Sequence, residues 1–160
     1  MRSVRLLILL LLALFVTDVV MAAPHIRTLA DLRGQSIAVE DSSVGTIMYH
    51  RLLETAGLKP AEVRKVNLEA TLHLQALRSA QTAAAVSYQP LAGPMAAAGF
   101  RPVFDSRQIP GQVLDVLAVR HDVLRSRPGA VDAMLQAWQR GLALLTLDPA
   151  GAARSLSVGT

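Results

Sequence analysis

The chain has 160 residues, 52% of them apolar and 18% charged, with a formal net charge of +4. That suits one packed domain and excludes a disordered chain. The absence of cysteine excludes disulfides, thiolate metal sites, a cysteine nucleophile and a lipidated leader cysteine together.

The first 25 residues, "MRSVRLLILLLLALFVTDVVMAAPH", place two arginines before an apolar run from Leu6 to Val16, with small residues at Ala22 and Ala23. This order predicts a secretory leader over residues 1–22, cut after Val20-Met21-Ala22. Asp18 shortens the purely apolar part below a spanning length, so a membrane anchor over residues 6–23 is the alternative. A third reading keeps "LLALFVTDVVMAAP" as the end of an upstream lobe.

After a turn ending at Gly34, "QSIAVE" is β-branched and predicts a buried strand. A helix is expected over 44–56, with Ile47, Met48, Leu52 and Leu53 inward and Arg51 and Glu54 outward. Gly57 ends it and Pro60 prevents continuation. "VRKVNL", "TAAAVSY" and "RPVFDS" read as further strands, "ATLHLQALRSA" and "LAGPMAAAG" as the helices among them. "QVLDVLAVR", residues 112–120, is expected to be the longest strand. Beyond it "HDVLRSRP" and residues 130–147 read as helices. Val131, Met134, Leu135, Trp138, Leu142 and Leu145 form one stripe, with Trp138 most simply in the core. The alternation predicts an α/β fold, a mainly parallel sheet flanked by helices.

Few chemistries survive. His25, His50, His73 and His121 stand far apart with no metal-ligating spacing, so no metal or cofactor is expected. No G-x-S-x-G elbow and no glycine-rich phosphate loop occurs. Ser42, Ser43, His50, Asp41 and Asp115 make no convincing triad, and no catalytic residue is assigned. The arginines are scattered, without a basic run interleaved with aromatics, so nucleic acid is not an expected partner. The strongest feature is the strand-to-helix junction "EDSSVGT". Ser42 or Ser43 can cap the helix, leaving the other hydroxyl for a ligand oxygen, and Gly45 lets a ligand approach the backbone. With Val44 and Thr46 these residues form an N-terminus suited to an anion. The same pattern also fits an ordinary cap at Ser43, worth about 1 kcal/mol and nothing more. Tyr88 and Gln89 end a strand at the same sheet edge, where a ring can stack and an amide can bond, or where a tyrosine simply covers the strand end. Asp115, among apolar neighbours, needs a partner; fixing a crossing strand is its default role.

Taken in order, "IRTLADLRGQSIAVEDSSVG", "AVSYQP", "FDSRQIPGQVLDVLAVRHDVL" and "AWQRGLALLTLDPAGAA" resemble the periplasmic substrate-binding proteins of ABC importers. The branch is the NMT1/SsuA/TauA-like group for nitrate, sulfonates, taurine and thiamine precursors. The resemblance implies a type II periplasmic-binding-protein lobe over residues 26–120 and a helical return segment over 121–160. It implies reversible, non-catalytic binding of a small anionic organic or inorganic solute by a periplasmic, monomeric protein that meets an ABC permease in the inner membrane. Ser42, Ser43, Val44, Gly45, Thr46, Tyr88, Gln89 and Asp115 are the ligand-contact candidates.

The chain departs from the family pattern at Ala80, where glycine is usual, at Ala83, where aspartate is usual, and at Gln89, where glutamate is usual. It is also about one lobe long, so a shortened, non-functional fragment is an alternative. Another is a ligand-sensing lobe of a signalling protein. A thiamine-precursor synthase ranks last, because that branch needs a cysteine.

Overall fold

The computed structural model describes residues 18–113 and 117–157. They divide into two units, one ending at residue 115 and the other starting at 116.

In the first unit the strands are β1 (Val19–Ala22), β2 (Ser36–Val39), β3 (Arg64–Asn67), β4 (Ala84–Ser87) and β5 (Arg101–Asp105), in one sheet of order β3-β2-β4-β1-β5. β2 pairs in parallel with β3 and β4, whereas β1 runs antiparallel to both its neighbours, β4 and β5. Four of the five strands therefore point one way, and the sheet is mixed only because of β1.

β1 falls within the stretch that the sequence offers either as the end of a leader or as the end of an upstream lobe. Its four residues lie inside the sheet, register Val19 against both Ser87 and Asp105, and are all buried. A cut after Ala22 would remove this strand.

Both faces of the sheet are covered, so β1 and β4 are apolar without alternation. Val20, Ala22, Ile37, Val39, Ala84, Val86 and Phe104 face one core cluster, shared with the helix α1 (Ser43–Ala56). Val19, Met21, Ala38 and Ala85 face the other, with Leu77 of α2 (His73–Arg78) and Ala92 and Met95 of α3 (Ala92–Ala97). β3 is an edge strand, and its exposed Arg64 and Lys65 discourage a further strand from pairing there.

α1 follows its sequence signals. Met48, Tyr49, Leu52 and Leu53 are buried, while Ile47, expected inside, is exposed beside the polar face. Gly57 sits at φ 65° and ψ 31°, and the Leu58 amide donates to the Leu53 carbonyl at 2.9 Å. This is the left-handed helix stop that glycine permits. Ala80 takes a similar conformation, φ 54°, where the resemblance called for glycine.

The expected long strand over 112–120 is not seen among its described residues. Gln112 and Val113 lie in a bend, and residues 117–120 have no regular structure, Leu117 being largely exposed. Apolar alternation makes a strand only where a neighbour supplies a ladder, and none of the described strands pairs with this segment. Asp115 lies outside the described residues.

The second unit comprises α4 (His121–Ser126), α5 (Pro128–Leu147) and α6 (Pro149–Ser157). Pro128 opens α5, where its missing N–H is not needed. Asp148 Oδ1 accepts from the Gly151 amide at 2.9 Å and so caps the start of α6. Of the expected stripe, Leu142 is buried and Val131, Leu135 and Leu145 are half-buried. Trp138 is 57% exposed and Met134 45%, so the placement of Trp138 in a core is not met. No described helix is long and apolar enough to cross a membrane.

Candidate functional site

β2, β3, β4 and β5 all finish at one sheet edge, and β1 begins there because it runs the other way. That edge gathers Asp18, just before β1, Glu40, just after β2, and Ser87 and Tyr88 at the end of β4. The start of α1 follows Glu40 after two residues. A small cavity of about 40 Å³ lies among them, lined by Asp18, Glu40, Ser42, Val44, Gly45, Ala70, Val86, Ser87 and Tyr88.

The cap on α1 is Ser42. Its backbone is extended, its Oγ accepts from the Gly45 amide at 3.1 Å, and its carbonyl accepts from the Thr46 amide at 3.0 Å. Ser43 is instead the first helical residue, so the expectation of a cap at Ser43 moves back by one. The cap uses the third amide of the turn. The first two, on Ser43 and Val44, point along the helix axis without an intrahelical partner. The Ser42 hydroxyl, while accepting, keeps its own proton to donate.

Gly45 has a different task from the one expected. A Cβ built there would stand 2.4 Å from the Glu40 carbonyl oxygen, closer than real Cβ contacts allow. Glycine is needed because the protein's own strand end passes against the first turn of α1. This contact holds Glu40 beside the helix start.

The polar groups at the cavity are mostly acceptors. Glu40 Oε1 accepts weakly from the Ala70 amide, at 3.4 Å. Asp18 is 6% exposed, and its backbone carbonyl accepts from the Ser106 amide at 2.9 Å. Ser87 is 1% exposed, and its Oγ has no hydrogen-bond partner. Among the described residues, no lysine, arginine or histidine lines the cavity. Lys65, one strand away, is turned toward Asp41 at 3.6 Å and lies 5.9 Å from the Tyr49 ring.

Behind the cavity, His73 is fully buried with Nε2 at 2.9 Å from the Leu68 carbonyl. Burial pushes its pKa below the ordinary value. The Leu68 carbonyl, the Glu40 charge and the Val86 carbonyl oppose this in part. The neutral ring donates from Nε2 to Leu68 O. At the same sheet edge Asp105 is clamped by Arg107, whose Nε and Nη2 donate at 3.1 and 2.6 Å and hold the carboxyl below its usual range.

Of the expected contacts, Ser42, Val44, Gly45 and Tyr88 therefore share one cavity. Ser43 is exposed and is not among the residues that line it. Thr46 instead faces a shallow cleft of about 460 Å³ with Ile47, His50, Arg51, Glu54 and Gln112. Gln89 is exposed and its Oε1 lies 3.6 Å from where a Cβ on Gly93 would stand, so it covers the start of α3. Sequence reasoning missed Asp18, Ser87 and the role of Glu40. One signal was present: a carboxylate standing inside an apolar run, as Asp18 does, needs a specific reason. The described residues hold no group of three or more side chains suited to a metal ion.

The sequence matches a family model described as NMT1/THI5 like over residues 13–152. The search of curated proteins returned no match. Among solved structures, the chain is similar to the periplasmic aliphatic sulphonate binding protein SsuA of Escherichia coli. The TM-score is 0.75 at 19% identity, over 85% of this chain and 45% of that one. It is similar to the alkanesulfonate-binding protein SsuA of Xanthomonas axonopodis pv. citri, bound to MOPS, with a TM-score of 0.67, 23% identity and coverage of 88% and 49%. A third is the desulfurization enzyme DSZB, with a TM-score of 0.59, 22% identity and coverage of 82% and 58%. At these identities the likeness is one of fold, a periplasmic-binding-protein type II lobe. The chain spans about half the length of the SsuA proteins it resembles.

Proposed function

The chain belongs to the NMT1/THI5-like family, and from that membership we propose that it is a solute-binding lobe of an ABC import system. It binds a small anionic solute reversibly and without covalent chemistry, in the periplasm, and presents it to a permease of the inner membrane. The observation that carries this reading is the cavity at the start of α1. There Ser42, the buried Ser87 and the first-turn residues Val44 and Gly45 of α1 line one void at the carboxyl ends of β2 and β4. Ligands of open α/β sheets gather at such an edge, and amide dipoles favour an oxyanion there.

The sulfonate ligands of the SsuA proteins support a sulfonate or a similar oxyanion as the solute class. In this reading Tyr88, 39% exposed and lining the cavity, covers the organic part of the ligand. One lobe gives one wall of a cleft, so affinity depends on what faces it. The test is isothermal titration of the full chain with alkanesulfonates, nitrate and pyrimidine precursors. Saturable heat abolished by Ser42→Ala together with Val44→Pro, which removes a first-turn amide, is the expected result. No heat from any of these solutes overturns the reading.

A further inference from the structure

An anion at the first turn of α1 gains from a counter-charge, and among the described residues no basic side chain lines the cavity. A base stands behind its wall. His73 opens α2 shortly after Ala70, and Ala70, Glu40, Val86 and Ser87 all line the void. The imidazole is fully buried.

Its surroundings suit two protons better than one. Nε2 lies 2.9 Å from the Leu68 carbonyl, and Nδ1 is buried with no hydrogen-bond partner. A second carbonyl, that of Val86, also acts on the ring and favours a proton there, as does the Glu40 charge. A neutral imidazole has one N–H, which Leu68 takes, so the other nitrogen is an acceptor left among acceptors. A buried polar atom in that state is unfavourable. The protonated ring removes the conflict but buries a charge. In the protein alone burial wins and the ring is neutral; one more negative charge nearby shifts the balance. The other charged groups around it are engaged or turned away. Glu69 and Arg78, close to it in the chain, are exposed, and Lys65 of β3 is turned to Asp41. Asp18 lines the same cavity and has an interaction of its own. β1, β2, β4 and α3 carry no ionisable residue.

Resting on the solute-binding reading above, we propose that His73 serves as the cation of this site: when an anion binds, the ring takes a proton from solvent onto Nδ1, and the anion is held more tightly as the pH falls. The imidazolium adds to the half charge of the helix end and offsets the repulsion between the anion and Glu40. The coupling is reciprocal, so an anion that favours the protonated ring is itself favoured wherever the ring is protonated. His25, His50 and His121 are exposed and titrate without this coupling.

The experiment is isothermal titration of the full chain with ethanesulfonate and nitrate, whose own charges are constant between about pH 5.5 and 7.5, in buffers of different ionisation enthalpy. A solute that binds is expected to bind at least about threefold more tightly at the lower pH, with net proton uptake read from the buffer dependence of the heat. His73→Gln can still donate to Leu68 but cannot gain a charge, and is expected to lose both effects while its circular dichroism matches the parent's. Glu40→Gln keeps the ring and removes a charge that favours its proton, so the rise in affinity should move to lower pH; this variant carries the test if His73→Gln does not fold. Binding without proton uptake, uptake that His73→Gln retains, or a pH profile that Glu40→Gln leaves in place overturns the role of His73 and leaves the solute-binding reading standing. Binding of neither solute, nor of any pyrimidine precursor, overturns both.

Discussion

Removal of β1 is the most severe test of the architecture, because the strand lies between β4 and β5 while its sequence looks like the tail of a leader. Val19, Val20 and Met21 are 7, 0 and 2% exposed. At about 1.5–3 kcal/mol for each fully buried side chain, the three contribute about 5–9 kcal/mol, before counting ladders on both sides of the strand. A domain has only about 5–15 kcal/mol in total. A chain beginning at Ala23 is therefore expected not to fold, whereas one beginning at Asp18 keeps the sheet. Far-ultraviolet circular dichroism and limited proteolysis of the two products make the comparison. The milder Val20→Ala, in the full chain, removes two buried methyl groups and is expected to lower stability by about 2 kcal/mol, read from the urea midpoint. A chain starting at Ala23 that unfolds in the same cooperative transition as the longer one would refute this account of the sheet.

Three further outcomes follow from single residues. Ala80 holds a left-handed conformation that disfavours a Cβ by about 1–2 kcal/mol; against the extra freedom glycine gives the unfolded chain, Ala80→Gly should gain about 0.5–1 kcal/mol. A lower melting temperature for that variant would contradict the assignment. Gly45→Ala puts a methyl 2.4 Å from the Glu40 carbonyl oxygen and should lose about 1–3 kcal/mol, with weaker solute binding; an unchanged urea midpoint would show that the strand end can move aside. His73 binds its proton less readily folded than unfolded, because of burial. Its contribution is thus fully present above the unfolded value, about 6.5, and is lost as the pH falls below it. Stability measured from pH 7.5 to 5 should decline, and His73→Gln should flatten that decline; an unaltered slope would place the proton uptake elsewhere.

Much of the first unit was legible because its signals are local. Ser42 and Gly57 bracket α1, and β2 to β5 each carry a β-branched or alanine-rich run ended by a turn. The place of Ala80 was legible as a position asking for glycine, and the backbone there explains why. β1 was legible only as one of three readings, the end of an upstream lobe beside a leader and an anchor. Val19–Ala22 has both faces covered, so it shows no alternation, and an apolar run without alternation reads equally as leader or strand. The acidic wall was hidden for another reason. Asp18, Glu40 and Ser87 stand far apart in sequence and meet only through the order β2-β4-β1. Trp138 shows the converse limit, since periodicity puts residues on one helix face without telling whether anything covers that face.

The reversed direction of β1 also bears on how the chain is made. Val19 pairs with Ser87 and Asp105, so β1 must wait for two strands that follow it by more than sixty residues. At about 5–20 residues per second of translation, β5 leaves the ribosome roughly 4–17 s after β1. For that time an apolar strand has no ladder, a window in which targeting factors or chaperones compete with folding for the same residues.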